Sequence, residues 1–208
     1  MIPITLSIIT DEDPSELINK SLERVQFQEV LVISQGFQFK SSLAKVKAFR
    51  TFWKGNADPD RQLVNSLATQ PWILFLDIDE EISPELAKIL PRLLNLPYHV
   101  YWIPFLNLVE GRDIRSILGE DYHPRLFRKN SIRWPSQLHT FPEIASNAFQ
   151  FWLKPKYHII HSRTWETIKK SHIKRKKIRT ERDYQVEKAF LQRLRNFLQI
   201  EDDLSWFE

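Results

Sequence analysis

The chain has 208 residues, 42% of them hydrophobic and 27% charged, with no cysteine and a formal net charge of +4. That length supports one domain with a substantial core and an appendage; the missing cysteines exclude disulfides and thiolate metal sites and suit a reducing compartment. Its four glycines (Gly36, Gly55, Gly111, Gly119) are too scattered for a G-x-G-x-x-G fingerprint or a Walker loop. The opening residues carry no basic segment and soon run into Asp11, Glu12 and Asp13, so no signal peptide is expected there. No apolar run approaches membrane-spanning length.

Leu6-Ser7-Ile8-Ile9 reads as a first buried strand. Asp13 is then expected to cap a helix, with Pro14 in its first turn and Glu16 completing a D-x-x-E box. Ile18, Leu22 and Val25 fall at helical spacing and supply its buried stripe. Residues 30–33 read as a second strand, 42–47 as a short helix and 49–53 as a third strand. Pro59 starts a helix carrying Leu63, Leu67 and Ala68, and the apolar run 72–76 reads as a fourth strand covered on both faces. This β-α-β-α-β-α-β order implies a parallel sheet with right-handed crossovers.

Asp77-Ile78-Asp79-Glu80 follows directly, where a chain leaving a buried strand would surface. Ligands of open α/β sheets bind at the carboxyl ends of the strands. On an extended backbone the two aspartates share a face, and two hard oxygen donors can hold a divalent cation that in turn holds a diphosphate. Alternatively, the acids simply favour the start of the next helix at Ser83-Pro84-Glu85, with Ser83 as its cap.

Beyond that point a helix from Pro84 is expected to end or break near Pro91 and Pro97. Strands are expected at 99–107, 125–128, 151–153 and 156–161. Thr164 would cap one long C-terminal helix, with Val186, Phe190, Leu194, Phe197 and Leu198 opposite Lys188, Arg193 and Arg195. The organisation read is a main domain over 1–163 and a basic, amphipathic helical tail over 164–208, packed on it or extending from it. The tail holds Lys169-Lys170, Lys174-Arg175-Lys176-Lys177, Arg179 and Arg182. Such a run suits an anionic partner. Aromatic residues are not interleaved with it, so no nucleic acid is expected; anionic lipid or a plain solvated helix face remain.

The order of motifs resembles glycosyltransferase family 2, near the small bacterial lipopolysaccharide core glucosyltransferases, over roughly residues 4–180. The similarity is carried by Leu6-Ser7-Ile8-Ile9-Thr10, by Trp53-Lys54-Gly55, by Arg61-Gln62 and by the stretch 72–86. It continues through Tyr101-Trp102-Ile103-Pro104, Asn107, Gly111-Arg112, Arg125-Leu126-Phe127-Arg128, Arg133-Trp134, His139 and His161-Ser162.

The resemblance implies a GT-A-like α/β fold, a mixed but mainly parallel sheet flanked by helices. It implies a nucleotide-diphospho-sugar donor, a saccharide or lipid-linked acceptor and a metal-assisted inverting displacement. By the same resemblance Mn2+ or Mg2+ would be coordinated by Asp79, with Asp77 on the ion's water or the ribose. His161 would be a late metal ligand or diphosphate contact, or else an ordinary strand-end histidine. Thr10, Arg61, Arg125 and Arg128 join the donor-binding set, although Arg125 and Arg128 are equally readable as strand-edge residues. The expected place is cytoplasmic, peripheral at the inner face of the membrane.

The sequence also departs from the family. Ser34 stands where a nucleoside-binding aspartate is usual, and Asp13 either supplies that acid or only caps its helix. Leu138-His139-Thr140 lacks the acid of the family's V-H-E. Asp121, and after it Glu143, are then the candidates for the catalytic base. The competing expectation is a GT-A-like binding protein that has lost nucleoside or base residues.

Overall fold

The computed structural model describes residues 1–52, 58–135, 142–176 and 180–207. In chain order its first half comprises β1 (Ile2–Thr10), α1 (Ser15–Arg24), β2 (Phe27–Gln35), β3 (Val46–Thr51), α2 (Asp58–Leu67), β4 (Trp72–Leu76), β5 (Glu80–Ile82) and α3 (Pro84–Leu93). The second half comprises β6 (Val100–Val109), β7 (Arg112–Asp113), α4 (Arg115–Leu118), β8 (Tyr122–Arg128), β9 (Ile132–Arg133), β10 (Glu143–Ile144), β11 (Gln150–Trp152), β12 (Ile159–Arg163), α5 (Trp165–Arg175) and α6 (Glu181–Leu198). Among the described residues one sheet runs β3-β2-β1-β4-β8-β6-β12-β5, with β7 and β11 added to β6. The first four strands are parallel, and β8 lies antiparallel between β4 and β6.

Alternation along the strands creates two apolar faces. Trp72, Leu74 and Leu76 of β4 join Ile4, Leu6 and Ile8 under α1 and α3, while Ile73 and Phe75 join Leu31 and Ile33 under α2. All five residues of β4 are buried, as the continuous apolar run implies. Ser83 caps α3 by accepting from the Leu86 amide, and the helix continues through Pro91 to Leu93. Leu86, Leu90 and Leu93 hold it on the sheet, so the proline shortens the helix without breaking it.

Several elements differ from expectation. No helix forms over 42–47; instead a turn closes when the Val46 amide donates to the Leu43 carbonyl, and β3 starts there as an edge strand. Asp13 is not the formal cap of α1, yet its carboxylate accepts from the Ser15 amide and hydroxyl, at 2.9 and 2.6 Å. Among the described residues two α-helices stand where one long helix was expected, because Thr180 opens α6 with its own capping box just as Thr164 opens α5. The buried stripe of α6 is Leu191, Leu194 and Leu198, packed with Trp165, Ile168, Val109 and Phe207, whereas Val186 is 65% exposed. Leu194 and Leu198 were expected in that stripe and Phe190 packs at its edge, while Val186 and Phe197 face outward and Leu191 takes their place. Glu110 and Gly111, both at positive φ, make the tight turn between β6 and β7, and Glu110 then accepts from the Trp165 amide that opens α5. No helix among the described residues is long and apolar enough to cross a membrane.

At the amino-terminal end of the strands lies a buried carboxylate, Glu29. Burial raises its pKa, but Lys47, Thr5 and the Thr69 amide outweigh that and hold it to about 2. The unfolded chain therefore binds more protons between about pH 4.5 and 2, and folding stability falls as pH falls through that window. Glu29→Gln is expected to lose on the order of 3 kcal/mol at neutral pH. The gap from wild type should close towards pH 2 in denaturant titrations; a gap independent of pH would contradict the assignment.

Candidate active site

The carboxyl ends of the parallel strands carry the candidate residues. Thr10 ends β1 level with Ser34 of β2, and both are buried. The Ser34 hydroxyl donates to the Phe49 carbonyl at 3.3 Å, and the Thr10 hydroxyl accepts from the Glu12 amide at 2.9 Å as the chain turns. Beside them Gln35 and Thr51 donate to the buried Asp60 at 2.7 and 2.8 Å, which fixes the start of α2 and hence Arg61.

After Leu76 the chain does not stay extended. The Glu80 amide donates to the Asp77 carbonyl at 3.0 Å and the Asp77 amide to the Glu80 carboxylate at 3.0 Å, closing a turn. The two aspartates therefore point to different partners, against the extended-backbone expectation. Asp77 pairs with Arg125 at 2.7 Å and Arg61 at 3.3 Å. Burial raises its pKa, but the two guanidiniums hold it far below the usual carboxylate range. Arg61 is itself held over the rings of Trp134 and Phe75. Arg125 also pairs with buried Glu80, and its own side chain is 5% exposed. Burial and the neighbouring Asp77 charge push Glu80 up, against Arg125. The Nε and Nη1 of Arg125 have no hydrogen-bond partner among the described residues.

Asp79 faces the other way, 3.2 Å from His161 Nε2 and 3.2 Å from Arg163 Nε. Sheet register brings this about, since His161 of β12 sits between Asn107 of β6 and Glu80 of β5. His161 Nδ1 lies 2.7 Å from Asn107 Oδ1, and Asn107 donates to Asp121 at 2.9 Å. An amide oxygen only accepts, so Nδ1 carries the hydrogen and Nε2 is left towards Asp79. Burial lowers the His161 pKa, but Asp79, with Glu80 beside it, outweighs that and raises it. Burial raises Asp79 in turn, and His161 and Arg163 bring it below its ordinary value.

This pair fits a divalent cation. Asp79 and His161 offer one oxygen and one nitrogen, both partly exposed, with the imidazole tautomer already set by Asn107. Among the described residues no three His, Asp or Glu side chains gather into a closed cage. Few protein donors, with phosphate oxygens and water in the remaining positions, is how magnesium-type ions are held at substrate sites.

Arg61, Asp77 and Arg125 are thus joined in one cluster, Asp79, His161 and Asp121 through Asn107 in another, and Thr10 and Ser34 sit on the neighbouring strand ends. Arg128 is not brought there. It pairs in register with Trp72 at the far end of β4 and lies over that ring, 4.9 Å from its centroid. Glu143 stands exposed on β10, paired with Arg133 rather than with the cluster. Trp53-Lys54-Gly55 and Leu138-His139-Thr140 lie outside the described residues. The sequence reading assigned no role to Glu80, Asn107, His123 or Arg163. Glu80 and Asn107 were visible inside the quoted motifs, whereas pairing across β6, β12 and β5 could not be read from one strand at a time.

The chain has a mixed α/β fold with a mainly parallel central sheet flanked by helices, as the motif order leads one to expect. No protein-family model matches the sequence. The fold is shared with S. aureus TarS, whose 1–349 fragment matches at 16% identity and a TM-score of 0.54, over 83% of this chain and 65% of that one. The same fragment in complex with UDP-GlcNAc matches at 15% identity and 0.57, over 94% and 73%. A longer TarS structure matches at 16% and 0.53, over 83% of this chain and 38% of its own. This chain therefore spans less than two thirds of the first fragment, and at these identities the likeness is one of fold.

Proposed function

We propose that the protein transfers a glycosyl group from a nucleotide-diphospho-sugar to a saccharide or lipid-linked acceptor, as an inverting member of glycosyltransferase family 2. The observation that carries this reading is the Asp79–His161 pair at 3.2 Å, tautomer-fixed by Asn107, at the strand ends of a fold that in TarS was solved with UDP-GlcNAc. Mn2+ or Mg2+ would be held by Asp79 and His161, and supplies positive charge against a departing diphosphate. Arg125 adds a buried guanidinium whose Nε and Nη1 have no hydrogen-bond partner among the described residues, and guanidinium forks suit phosphate oxygens. Asp77 keeps Arg61 and Arg125 in place rather than adding a third ligand. Thr10 and Ser34 end the neighbouring strands where the nucleoside would lie, with their hydroxyls already engaged by Glu12 and Phe49.

The domain division at 164 remains part of this reading, as does a peripheral position on anionic lipid through the basic tail. In the tail, Lys174 pairs with Asp11 at 2.8 Å, so part of its charge is directed inwards to the loop after β1. A binding protein without turnover is favoured by one observation: Ser34 is buried and its hydroxyl already donates to Phe49, leaving no acid for the nucleoside.

The readings separate on a panel of UDP-, GDP- and dTDP-sugars with and without Mn2+, followed by thermal unfolding and by release of the nucleoside diphosphate. At a hundred times its dissociation constant a donor should raise the midpoint by roughly 5 °C or more. A metal-dependent rise with release supports the transferase, and a rise without release the binding protein. No rise with any donor would contradict both.

A further inference from the structure

The acid missing from the V-H-E position leaves the proton acceptor unassigned, and the site supplies one that no motif contains. Both oxygens of Asp121 are engaged: Oδ2 accepts from Asn107 at 2.9 Å, and Oδ1 lies 2.8 Å from His123 Nε2. Burial raises the pKa of Asp121, but His123 and Asn107 outweigh it and bring it below the ordinary carboxylate value. A carboxylate so occupied is a weak proton acceptor, but it is well placed to orient an imidazole and to balance its charge. His123 is that imidazole. A carboxylate only accepts, so Nε2 carries the hydrogen and the lone pair lies on Nδ1, which makes no hydrogen bond among the described residues. Its side chain is 39% exposed, so the free nitrogen can be reached from solvent.

The ring is also held in place. Phe105 lies 4.6 Å from the His123 ring and 5.9 Å from the His161 ring. The open imidazole therefore stands across one phenyl ring from the Asp79–His161 pair, and the chain His161–Asn107–Asp121–His123 links the two ends by contacts of 2.7, 2.9 and 2.8 Å. An inverting displacement needs its base and its leaving group on opposite sides of the reacting carbon, with room for a sugar between them.

Resting on the transferase reading above, we propose that His123 is the catalytic base and that Asp121 is its positioning residue. In the step, the acceptor hydroxyl gives its proton to His123 Nδ1 as its oxygen bonds to the anomeric carbon. The bond from that carbon to the diphosphate oxygen breaks, and the electron pair leaves with the nucleoside diphosphate. The imidazolium formed faces the Asp121 carboxylate and later returns its proton to solvent. This assignment takes the base role from Asp121 itself and from Glu143.

The test uses the full chain with Mn2+, the donor from the panel that most raises the unfolding midpoint, and water in place of the acceptor hydroxyl. His123→Ala is expected to release nucleoside diphosphate about 100-fold more slowly or worse, while keeping the donor-induced rise in midpoint. Added imidazole should restore part of the rate in His123→Ala and leave wild type unchanged, a response that a merely structural residue would not give. Asp121→Asn should also be slow, without rescue. A His123→Ala protein as fast as wild type, or a loss that imidazole does not restore, overturns the assignment while leaving the transferase reading intact. A wild-type chain that neither shifts nor releases with any donor removes the transferase reading, and this inference with it.

Discussion

Arg125→Met is expected to lower the thermal midpoint by roughly 10 °C, the largest stability effect of any single change at the site. The guanidinium is 5% exposed and pairs with both Asp77 and Glu80, and Glu80 is 2% exposed on its side chain. Removing it leaves buried Glu80 without its guanidinium partner and Asp77 with Arg61 alone. Breaking a buried pair from one side costs about 3–5 kcal/mol, mostly as desolvation of the group left behind. Methionine keeps much of the packing volume over Phe105, so the loss should come from charge and not from a cavity. The double variant Arg125→Met with Glu80→Gln should recover part of the loss, because a neutral amide no longer needs the cation. Chemical denaturation of the cycle checks this: additive single effects would show that Glu80 and Arg125 do not depend on each other.

Much of this arrangement was legible in the sequence because it lies on strands whose pattern is strong. The run from Trp72 to Leu76 is apolar throughout, so its burial, and the emergence of Asp77 at its end, followed from local chemistry. Arg125 lay in a motif that placed it near the same strand end, but Arg128 did not follow it. Three residues of an antiparallel strand carry the chain towards the opposite end of its neighbours, and only the pairing of Arg128 with Trp72 reveals which end is which. The turn that separates Asp77 from Asp79 was likewise hidden, since a D-x-D on an extended chain and a D-x-D in a turn read the same. In the tail, Leu194 and Leu198 followed from helical spacing, but Leu191 stands next to Phe190 in the same apolar stripe, and only packing against Trp165 and Phe207 shows which of the two is buried. The Asn107–Asp121–His123 chain depended on β6 and β8 being neighbours, a fact of topology beyond periodicity.

Asp79→Ala is expected to have the largest effect on function. The carboxylate meets His161 and Arg163, both at 3.2 Å, on the Nε2 side of the fixed imidazole. Without it a cation shared with the donor's diphosphate loses half of its protein ligands, and release of the nucleoside diphosphate should fall by about 100- to 1,000-fold. Asp79 is partly exposed and lies at the sheet's rim, so the fold should survive, with a midpoint near that of wild type. Asp77→Ala should behave differently, because its partners are Arg61 and Arg125: it should loosen those side chains and weaken donor binding with a smaller change in the metal requirement. The most direct measurement is calorimetric titration of wild type and Asp79→Ala with the donor selected by the panel, each with and without Mn2+. Wild type is expected to bind the donor tightly only when Mn2+ is present, and Asp79→Ala weakly and equally with or without the metal. Donor binding by Asp79→Ala that is as tight and as metal-dependent as in wild type would contradict this expectation.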